Sequence, residues 1–150
     1  MIGRHDVLIS IYPEFAEAIL RGEKTVELRR RIPGLRSGMR MWIYATKPVG
    51  AILGYAMVGG VSKGPPEKMW KIFGDSTGIE REHFDSYFLD SSVAVCITLT
   101  GVREGVPLPS HEFKRVRPSF HPPQLFTRIS DAEAEYLDKM LFPMEFAAEA

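Results

Sequence analysis

Apolar positions follow the two-residue period of β-strands in several segments of this chain, and these segments end at Gly, Pro or polar clusters. In the segment 39–46, Ile43 lies on the face opposite to Tyr44 and Thr46. The other segments are alternating or continuously apolar, as buried strands are. Strands are therefore predicted at residues 6–11, 25–29, 39–46, 51–61 and 92–102.

Helical spacing separates the first two predicted strands. Pro13 suits the first turn of a helix, where its missing N–H is no loss. Phe15, Ala18 and Ile19 then recur at helical spacing. Gly22 is predicted to end this helix, so the chain turns there before the second strand.

Residues 63–89 change from strand periodicity to a helical pattern. One short helix is predicted to begin at Pro65 and Pro66, because proline is favoured in the first turn. A second short helix is predicted within residues 78–87. Two helices therefore interrupt the strand pattern in the middle of the chain.

The last third of the chain predicts a loop followed by a helix. Residues 106–124 contain five prolines and no periodicity, which is typical of a surface loop. Ser130 and Glu133 fit a capping box that opens a helix through Leu141. Residues after Pro143 are expected to be a poorly held tail.

Strands of mixed length, helices and glycine-rich bends together predict an α+β fold with a curved, mostly antiparallel or mixed sheet or a small β-barrel. The 150 residues fit one domain that can bury a core without disulfides. We expect this core at about residues 6–141, with a tail at 142–150.

The stretch 22–31 carries charge that a core cannot accept. Within it, Glu27 and Arg29 share one face of a predicted strand, and Val26 and Leu28 share the other. A carboxylate and a guanidinium therefore lie side by side. One interpretation is a site for a polar ligand, and the alternative is an ion pair on the surface of the sheet.

Lys24 lies three residues before Glu27 and has the wrong parity for its face. It can join Glu27 and Arg29 only from the turn before the strand or across a bulge, and Gly22 allows such a turn. The alternative is that Lys24 merely ends the preceding helix, where cations suit the dipole.

The formal net charge is zero, but the charges are unevenly distributed along the sequence. Residues 21–47 contain eight Lys or Arg and only two acidic residues, whereas the last twenty residues contain six acidic residues and one Lys. Such asymmetry can give a positive patch that concentrates phosphates. The alternative is that these cations pair with the acidic C-terminal helix.

Other residues exclude several kinds of site. Cys96 lies in an apolar run and is expected to pack as a small hydrophobe, and the chain has no Cys or His spacing typical of zinc. No metal or cofactor is therefore expected. Neither a secretory signal nor a run long enough to span a bilayer is evident, so we expect a soluble cytoplasmic protein that does not interact with membranes.

The residues Gly22, Lys24, Glu27 and Arg29 form the pattern Gly-x-Lys-x-x-Glu-x-Arg, which resembles the signature of the ASCH domain family in the PUA-like superfamily. Flanking pieces also resemble that family in the expected order, and they cover residues 9–20, 42–54 and 122–126. The resemblance implies a PUA-like β-barrel flanked by helices. It also implies a cleft between the barrel, the early helix and the signature strand.

RNA binding is the first function that this resemblance and the charge pattern favour. Cations can neutralise phosphates, while aromatic rings can stack on unpaired bases. An RNA or a modified nucleoside is thus the expected ligand, and the candidate binding residues are Ser10, Tyr12, Lys24, Arg29, Arg30, Tyr44, Thr46 and Lys47. Each aromatic residue also has an interpretation as core.

Hydrolysis is the second candidate function. Glu27 beside Lys24 can act as a general base, with Lys24 or Arg29 stabilising an oxyanion. Lys24 and Glu27 are therefore the candidate catalytic residues. Some ASCH relatives remove an acetyl group from N4-acetylcytidine and others are ribonucleases, but Glu27 stands where the short amidohydrolases have a threonine.

A regulatory role in transcription or translation is the third candidate, because ASCH-like domains resemble RNA-binding modules. No helix-turn-helix segment is evident, so DNA recognition by this chain alone is not expected. His111 and His121 lie in the proline-rich segment and can approach the cleft. We expect a monomer.

Overall fold

The computed structural model describes residues 5–145. The strands are β1 (Asp6–Ile11), β2 (Val26–Arg29), β3 (Arg40–Ala45), β4 (Ala51–Gly64), β5 (Ala94–Pro109) and β6 (Phe126–Ile129). The helices are α1 (Pro13–Leu20), α2 (Pro66–Phe73), α3 (Arg81–Tyr87), α4 (Ser110–Phe113) and α5 (Asp131–Leu141), with a 3₁₀ turn at Gly74–Ser76. The fold is α+β, as the sequence predicts.

The six strands form one mixed sheet in the order β2-β5-β4-β3-β1-β6. The β1–β3 pair is parallel, and the other four neighbouring pairs are antiparallel. Bulges shift the register of the β4–β5 pair near Gly54 and Gly60, and bulges bend the strands that carry them. The sheet is open between β2 and β6, and its architecture is compatible with a barrel-like fold.

Both faces of the sheet are covered. On one face, Ile9 and Ile43 pack with Ile19 of α1. On the other face, Trp42 packs with Leu137 of α5. Two buried faces explain why β1 and β3 are mainly apolar rather than alternating with charged residues, with one charged residue at the first position of each strand, Asp6 and Arg40.

A third apolar cluster joins β2 to α2 and α3. It contains Leu28 and Cys96, which face each other across the β2–β5 pair, and it continues into Met69, Phe84 and Phe88. Burial raises the pKa of the Cys96 thiol to about 11. Cys96 therefore packs as a hydrophobe, as predicted, and not as a thiolate.

The proline-rich segment differs most from the prediction. Residues 106–109, which were predicted to begin a loop, continue β5 instead, and their partners lie on β4. Since β2 pairs only with residues 95–98, this part of β5 has a free side on which proline costs no ladder hydrogen bond. The short strand β6, at residues 126–129, was also not predicted.

The end of the chain is held more firmly than predicted as far as it is described. Ser130 and Glu133 form the predicted capping box at α5, with Glu133 N donating to Ser130 Oγ at 3.1 Å. Phe142, which the prediction assigned to the tail, is buried and packs against Trp42 and Tyr55. Residues 146–150 of that tail lie outside the described residues. Within residues 5–145, every helix is too short or too polar to cross a bilayer.

Candidate functional site

A cavity of about 370 Å³ opens where the end of β1 and the start of α1 meet β2 and α3. Such a volume is near the lower end of the range for small-molecule sites. Charged side chains come from β2 and from the residues on either side of it, and aromatic ones come from α1, its N-cap residue and α3. The lining residues are Ser10, Ile11, Tyr12, Phe15, Lys24, Glu27, Leu28, Arg29, Arg30, Thr46, Ile79, His83, Tyr87 and Gln124.

Lys24 enters the cavity from the turn that precedes β2. Gly22 adopts a φ of 78°, which lets the chain turn back after α1. The N–H of Lys24 then donates to the carbonyl of Ala18 at 3.1 Å, and the N–H of Thr25 donates to the carbonyl of Ser76 at 2.9 Å. Because Lys24 lies in this turn and not in the strand, its side chain reaches the same cavity as Glu27 and Arg29 despite the odd spacing between them.

The ammonium group of Lys24 is enclosed by three groups. Its Nζ donates to the carbonyl oxygen of Thr77 at 2.7 Å and lies 3.5 Å from Glu27 Oε1 and 5.3 Å from the centre of the Phe15 ring. Only 2% of Lys24 is exposed. A cation is therefore held at the wall of the cavity with little water around it.

Burial lowers the pKa of Lys24 below its usual range, because removal from water disfavours the charged form. The carboxylate of Glu27 opposes this effect, and the nearby charge of Arg29 adds to it. Burial outweighs the ion pair, so Lys24 releases its proton more readily than an exposed lysine does. This is the property that a lysine needs to act as a base or a nucleophile.

Glu27 is shared between two cations. Its Oε2 accepts from Arg29 Nε at 3.2 Å and from Arg29 Nη2 at 3.0 Å, while Oε1 faces Lys24. Arg29 Nη2 also donates to the carbonyl of Ser10 at 2.6 Å, which ties β2 to β1 across the cavity. Glu27 is therefore positioned by the protein before any ligand binds.

Arg30 also lines the cavity, and its guanidinium lies over an aromatic ring. The carbon of its guanidinium lies 4.2 Å from the centre of the Tyr87 ring, and Nε donates to the carbonyl of Tyr87 at 2.8 Å. Burial raises the pKa of Tyr87 although Arg29 and Arg30 pull it down. Arg30 is exposed, so its cationic edge is accessible to an anion.

The hydroxyl of Ser10 is the one buried side-chain oxygen or nitrogen within residues 5–145 that lacks a hydrogen-bond partner. It lies at the end of β1, in the wall of the cavity. A buried hydroxyl without a partner costs about 1–3 kcal/mol. A ligand that reaches Ser10 can recover part of this cost.

Aromatic residues form the remaining wall. The ring of Phe15 lies 6.3 Å from that of Tyr12 and 5.7 Å from that of His83, measured between ring centres. His83 and Tyr87 are four residues apart on α3, so both point to the same face of that helix. The cavity therefore has a charged wall and an aromatic wall.

A second, polar concavity of about 500 Å³ lies near the start of β1 and of α5. Arg117 and Glu133 bind each other there through two hydrogen bonds, of 2.8 Å and 2.7 Å. The same contact lowers the pKa of Glu133. Because these two charges pair with each other, we interpret this contact as one that stabilises α5.

No group of three His, Cys, Asp or Glu in the described part of the chain is placed to hold a metal ion.

Comparison with known proteins identifies the family. The model of the ASCH domain matches residues 9–104, which is more than half of the chain. The chain belongs to the ASCH domain family. The matched range contains the end of β1, the whole of α1 and β2, and all but one of the residues that line the cavity.

Individual relatives agree with this assignment. An ASCH domain-containing ribonuclease of Zymomonas mobilis is 33% identical over 142 residues, which cover 95% of this chain and 96% of that protein. The crystal structure of ASCH from Zymomonas mobilis superposes with a TM-score of 0.88 at 34% identity, covering 91% of this chain and 96% of that one. A hypothetical protein from Leishmania major has a TM-score of 0.58 at 13% identity, covering 95% and 97% of the two chains, which shows the fold alone.

The ASCH fold brings most of the predicted site residues together. Seven of the nine candidates named from the sequence line the cavity, and they are Ser10, Tyr12, Lys24, Glu27, Arg29, Arg30 and Thr46. Lys47 is exposed and does not line the cavity.

Tyr44 also lies elsewhere. It is 2% exposed and packs edge-on against Phe120, with ring centres 6.0 Å apart, in the core on the α5 side of the sheet. A ring that stacks on a base needs an open face. Tyr44 is therefore a core residue in this structure, and the interpretation of it as a stacking ring is corrected.

Sequence reasoning missed four polar or aromatic residues of the cavity, namely Phe15, His83, Tyr87 and Gln124. Phe15 was assigned to the apolar face of α1, and the other three lie far from the signature in sequence. His111 and His121, for which the proline-rich segment left an approach to the cleft open, do not line it. The i,i+4 spacing of His83 and Tyr87 was the one available signal.

Proposed function

We propose that this ASCH domain binds a nucleotide of single-stranded RNA in the cavity around Lys24 and cleaves the RNA there. The observation that carries the proposal is the buried ammonium of Lys24, whose pKa is lowered by burial although Glu27 lies 3.5 Å away. Groups with shifted pKa values in a cavity are candidates for proton transfer. The ribonuclease name of the Zymomonas mobilis relative supports RNA as the substrate.

The charges of the cavity suit a phosphodiester. Arg30 presents a cation at the opening, and it is fixed by its stacking on Tyr87. Arginine binds phosphate through a planar pair of donors. The phosphate group of a bound nucleotide lies against Arg30, and its base or sugar enters the cavity toward Ser10.

Lys24 is the proposed base in this reaction. Its neutral amine takes the proton from the 2′-hydroxyl group, whose oxygen attacks the adjacent phosphorus. The bond from phosphorus to the opposite 5′-oxygen breaks, and that oxygen leaves with the electron pair and takes a proton from water. Glu27 holds the ammonium that results, and Arg29 holds Glu27 in place. Positioned proton transfer of this kind is worth about 10²–10⁴ in rate.

The test is the cleavage of a short, end-labelled single-stranded oligoribonucleotide. Lys24→Met keeps an unbranched side chain that is one atom shorter and removes the amine, so cleavage should fall by about 10²–10⁴. Lys71→Met is the matched control, because Lys71 is exposed on α2 and does not line the cavity. This control should cleave at the wild-type rate.

Three other outcomes overturn the proposal in part or in whole. If the wild-type protein binds the RNA without cutting it, and affinity falls when Lys24 is replaced, the domain is a binding module. If the wild type releases acetate from N4-acetylcytidine and Lys24→Met does not, the domain is an amidohydrolase. If Lys24→Met cleaves RNA as fast as the wild type does, the reaction does not take place in the cavity around Lys24.

A further inference from the structure

We infer that Tyr12 is a stacking platform for a second, unpaired base, so that the site takes at least two adjacent nucleotides of a single strand. This inference rests on the proposed function and specifies its substrate class. The cavity holds one nucleotide-sized group, and Tyr12 lies at its rim. The platform extends the site beyond the cavity.

Exposure sets Tyr12 apart from the other aromatic residues. Its exposed fraction is 67%, and among residues 5–145 it is the one aromatic side chain that is both large and mainly open to solvent. Single exposed apolar residues are common on protein surfaces. This one, however, borders a cavity with cations, which is where an aromatic surface can contact a ligand.

The backbone of Tyr12 is fixed by the secondary structure on both sides. β1 ends at Ile11, and Tyr12 is the N-cap residue of α1. Its carbonyl accepts from Phe15 N at 3.0 Å and from Ala16 N at 2.9 Å. The ring therefore projects from a rigid junction, which lowers the entropy cost of holding a base.

The ring of Tyr12 continues the aromatic wall of the cavity outward. Phe15 lies between Tyr12 and His83, at centre distances of 6.3 Å and 5.7 Å, and the Nζ of Lys24 lies 5.3 Å from the Phe15 ring centre. This row runs from the buried amine to the open rim. A strand whose reacting nucleotide lies at Lys24 can thus place its neighbouring base on Tyr12.

The geometry selects against double-stranded RNA. A base in a duplex stacks on its neighbours and pairs with its partner, so its face is not free for Tyr12. Stacking on aromatic side chains tolerates any base, because every base has a π face. The inferred substrate is therefore unpaired RNA with little sequence preference at the Tyr12 position.

The experiment measures the affinity of a 2′-O-methyl oligoribonucleotide by fluorescence anisotropy, since that backbone resists cleavage. An abasic unit is moved through the oligonucleotide one position at a time. Tyr12→Ala should weaken binding of the intact oligonucleotide about 5- to 150-fold. Tyr12→Phe should recover the affinity, whereas Tyr12→Leu should not, because only an aromatic ring stacks.

One abasic position should identify the base that contacts Tyr12. At that position the abasic unit weakens binding to the wild type but not to Tyr12→Ala, because the interaction is already lost. Leu89→Ala is the control for the loss of an exposed apolar side chain, since Leu89 is 79% exposed and does not line the cavity. It should bind as the wild type does.

The outcomes separate this inference from the proposed function. Suppose that the wild type binds the oligonucleotide, that Lys24→Met binds it more weakly and that Tyr12→Ala binds it equally well. Tyr12 is then not a stacking platform, while the proposed binding in the cavity is retained. Equal loss at every abasic position in both proteins would also overturn it. If the wild type binds no single-stranded RNA, the proposed function fails and the platform fails with it.

Discussion

Lys24 and Arg40 are both cations shielded by the fold, yet their pKa values shift in opposite directions. For Arg40, contacts with Asp138 and Asp6 outweigh burial and raise its pKa. For Lys24, burial outweighs the contact with Glu27 and lowers its pKa. The two clusters therefore differ in how completely the protein compensates the buried charge.

The Arg40 cluster is saturated. Arg40 Nε donates to Asp6 at 2.8 Å, and its two terminal nitrogens donate to Asp138 at 2.9 Å and 3.1 Å. Asp6 also accepts from the indole of Trp42 at 2.8 Å. The cluster links β1, β3 and α5, and every nitrogen of the guanidinium donates to a carboxylate of the protein.

The Lys24 cluster borders a cavity instead. Its amine has a single close hydrogen bond, to the Thr77 carbonyl, and the Ser10 hydroxyl in the same wall has no partner. A cluster that braces the fold satisfies its charges, whereas a site for a ligand leaves some of that capacity open. Buried charge alone does not distinguish the two.

Asp6→Ala should give the largest effect on stability. It removes one carboxylate from Arg40 and leaves the buried indole N–H of Trp42 without a partner. Breaking such a buried network costs about 3–5 kcal/mol. Chemical denaturation measures the free energy of unfolding, and Asp90→Ala at an exposed position should change it by less than about 0.5 kcal/mol. A loss for Asp6→Ala no larger than that of Asp90→Ala would mean that this cluster does not brace the fold.

Gly78→Ala should have an intermediate effect and should move Lys24. Gly78 adopts a φ of 72°, and an added Cβ would lie 3.1 Å from the Cβ of Lys24. The strained backbone should cost about 1–3 kcal/mol of stability. RNA cleavage should also fall at a temperature where the variant is fully folded, because the turn at Thr77 and Gly78 holds the amine.

The control for this turn is another glycine with positive φ. Gly38 has a φ of 90° with nothing near its Cβ position, and it lies outside the cavity. Gly38→Ala should lose similar stability and retain full cleavage. A parallel loss of activity in both variants would mean that the effect of Gly78→Ala reports stability alone.

Ser10→Ala should separate binding from stability. Because the Ser10 hydroxyl has no partner, its removal should leave the free energy of unfolding unchanged or raise it by up to about 1 kcal/mol. RNA affinity should fall about fivefold to tenfold. Ser37→Ala should instead lower the free energy of unfolding and leave RNA affinity unchanged. Ser37 Oγ donates to the Gly59 carbonyl at 2.9 Å, and this hydrogen bond lies away from the cavity. Lower stability with unchanged affinity in Ser10→Ala would contradict this assignment.

The pH dependence of stability tests the shift at Lys24 and has the smallest expected effect. Between the lowered pKa and the ordinary value of 10.5, the folded protein binds fewer protons than the unfolded chain. Stability therefore rises with pH in that window. The difference in unfolding free energy between the wild type and Lys24→Met should change in favour of the wild type as pH rises through it, and a constant difference would contradict the shift.

Local patterns predicted much of this fold. The periodicity of β1 and β3, the proline at the start of α1 and the capping box of α5 are each encoded within a few residues, and the structure confirms them. The extent of β5 was not encoded locally. Its prolines are tolerated because its second neighbour ends early, and that is a property of the whole sheet.

The charged part of the candidate site was predictable because it is nearly continuous in sequence. Lys24, Glu27 and Arg29 lie within six residues, so parity and a turn were enough to place them together. His83 and Tyr87 reach the cavity because α3 packs over β2, which no local pattern specifies. Tyr44 was predicted to border the site from the strand pattern alone, but it is buried, because Phe120 covers the aromatic face of β3.

Amide chemical-shift mapping during titration with a short single-stranded oligoribonucleotide tests the central claim most directly. If RNA binds in the cavity, the shifts cluster on residues that line it, with Ser10, Lys24 and Arg30 among them, and Lys24→Met reduces them. Shifts that cluster around Arg117 and Arg128 at the second concavity, with the Lys24 region unchanged, would contradict it.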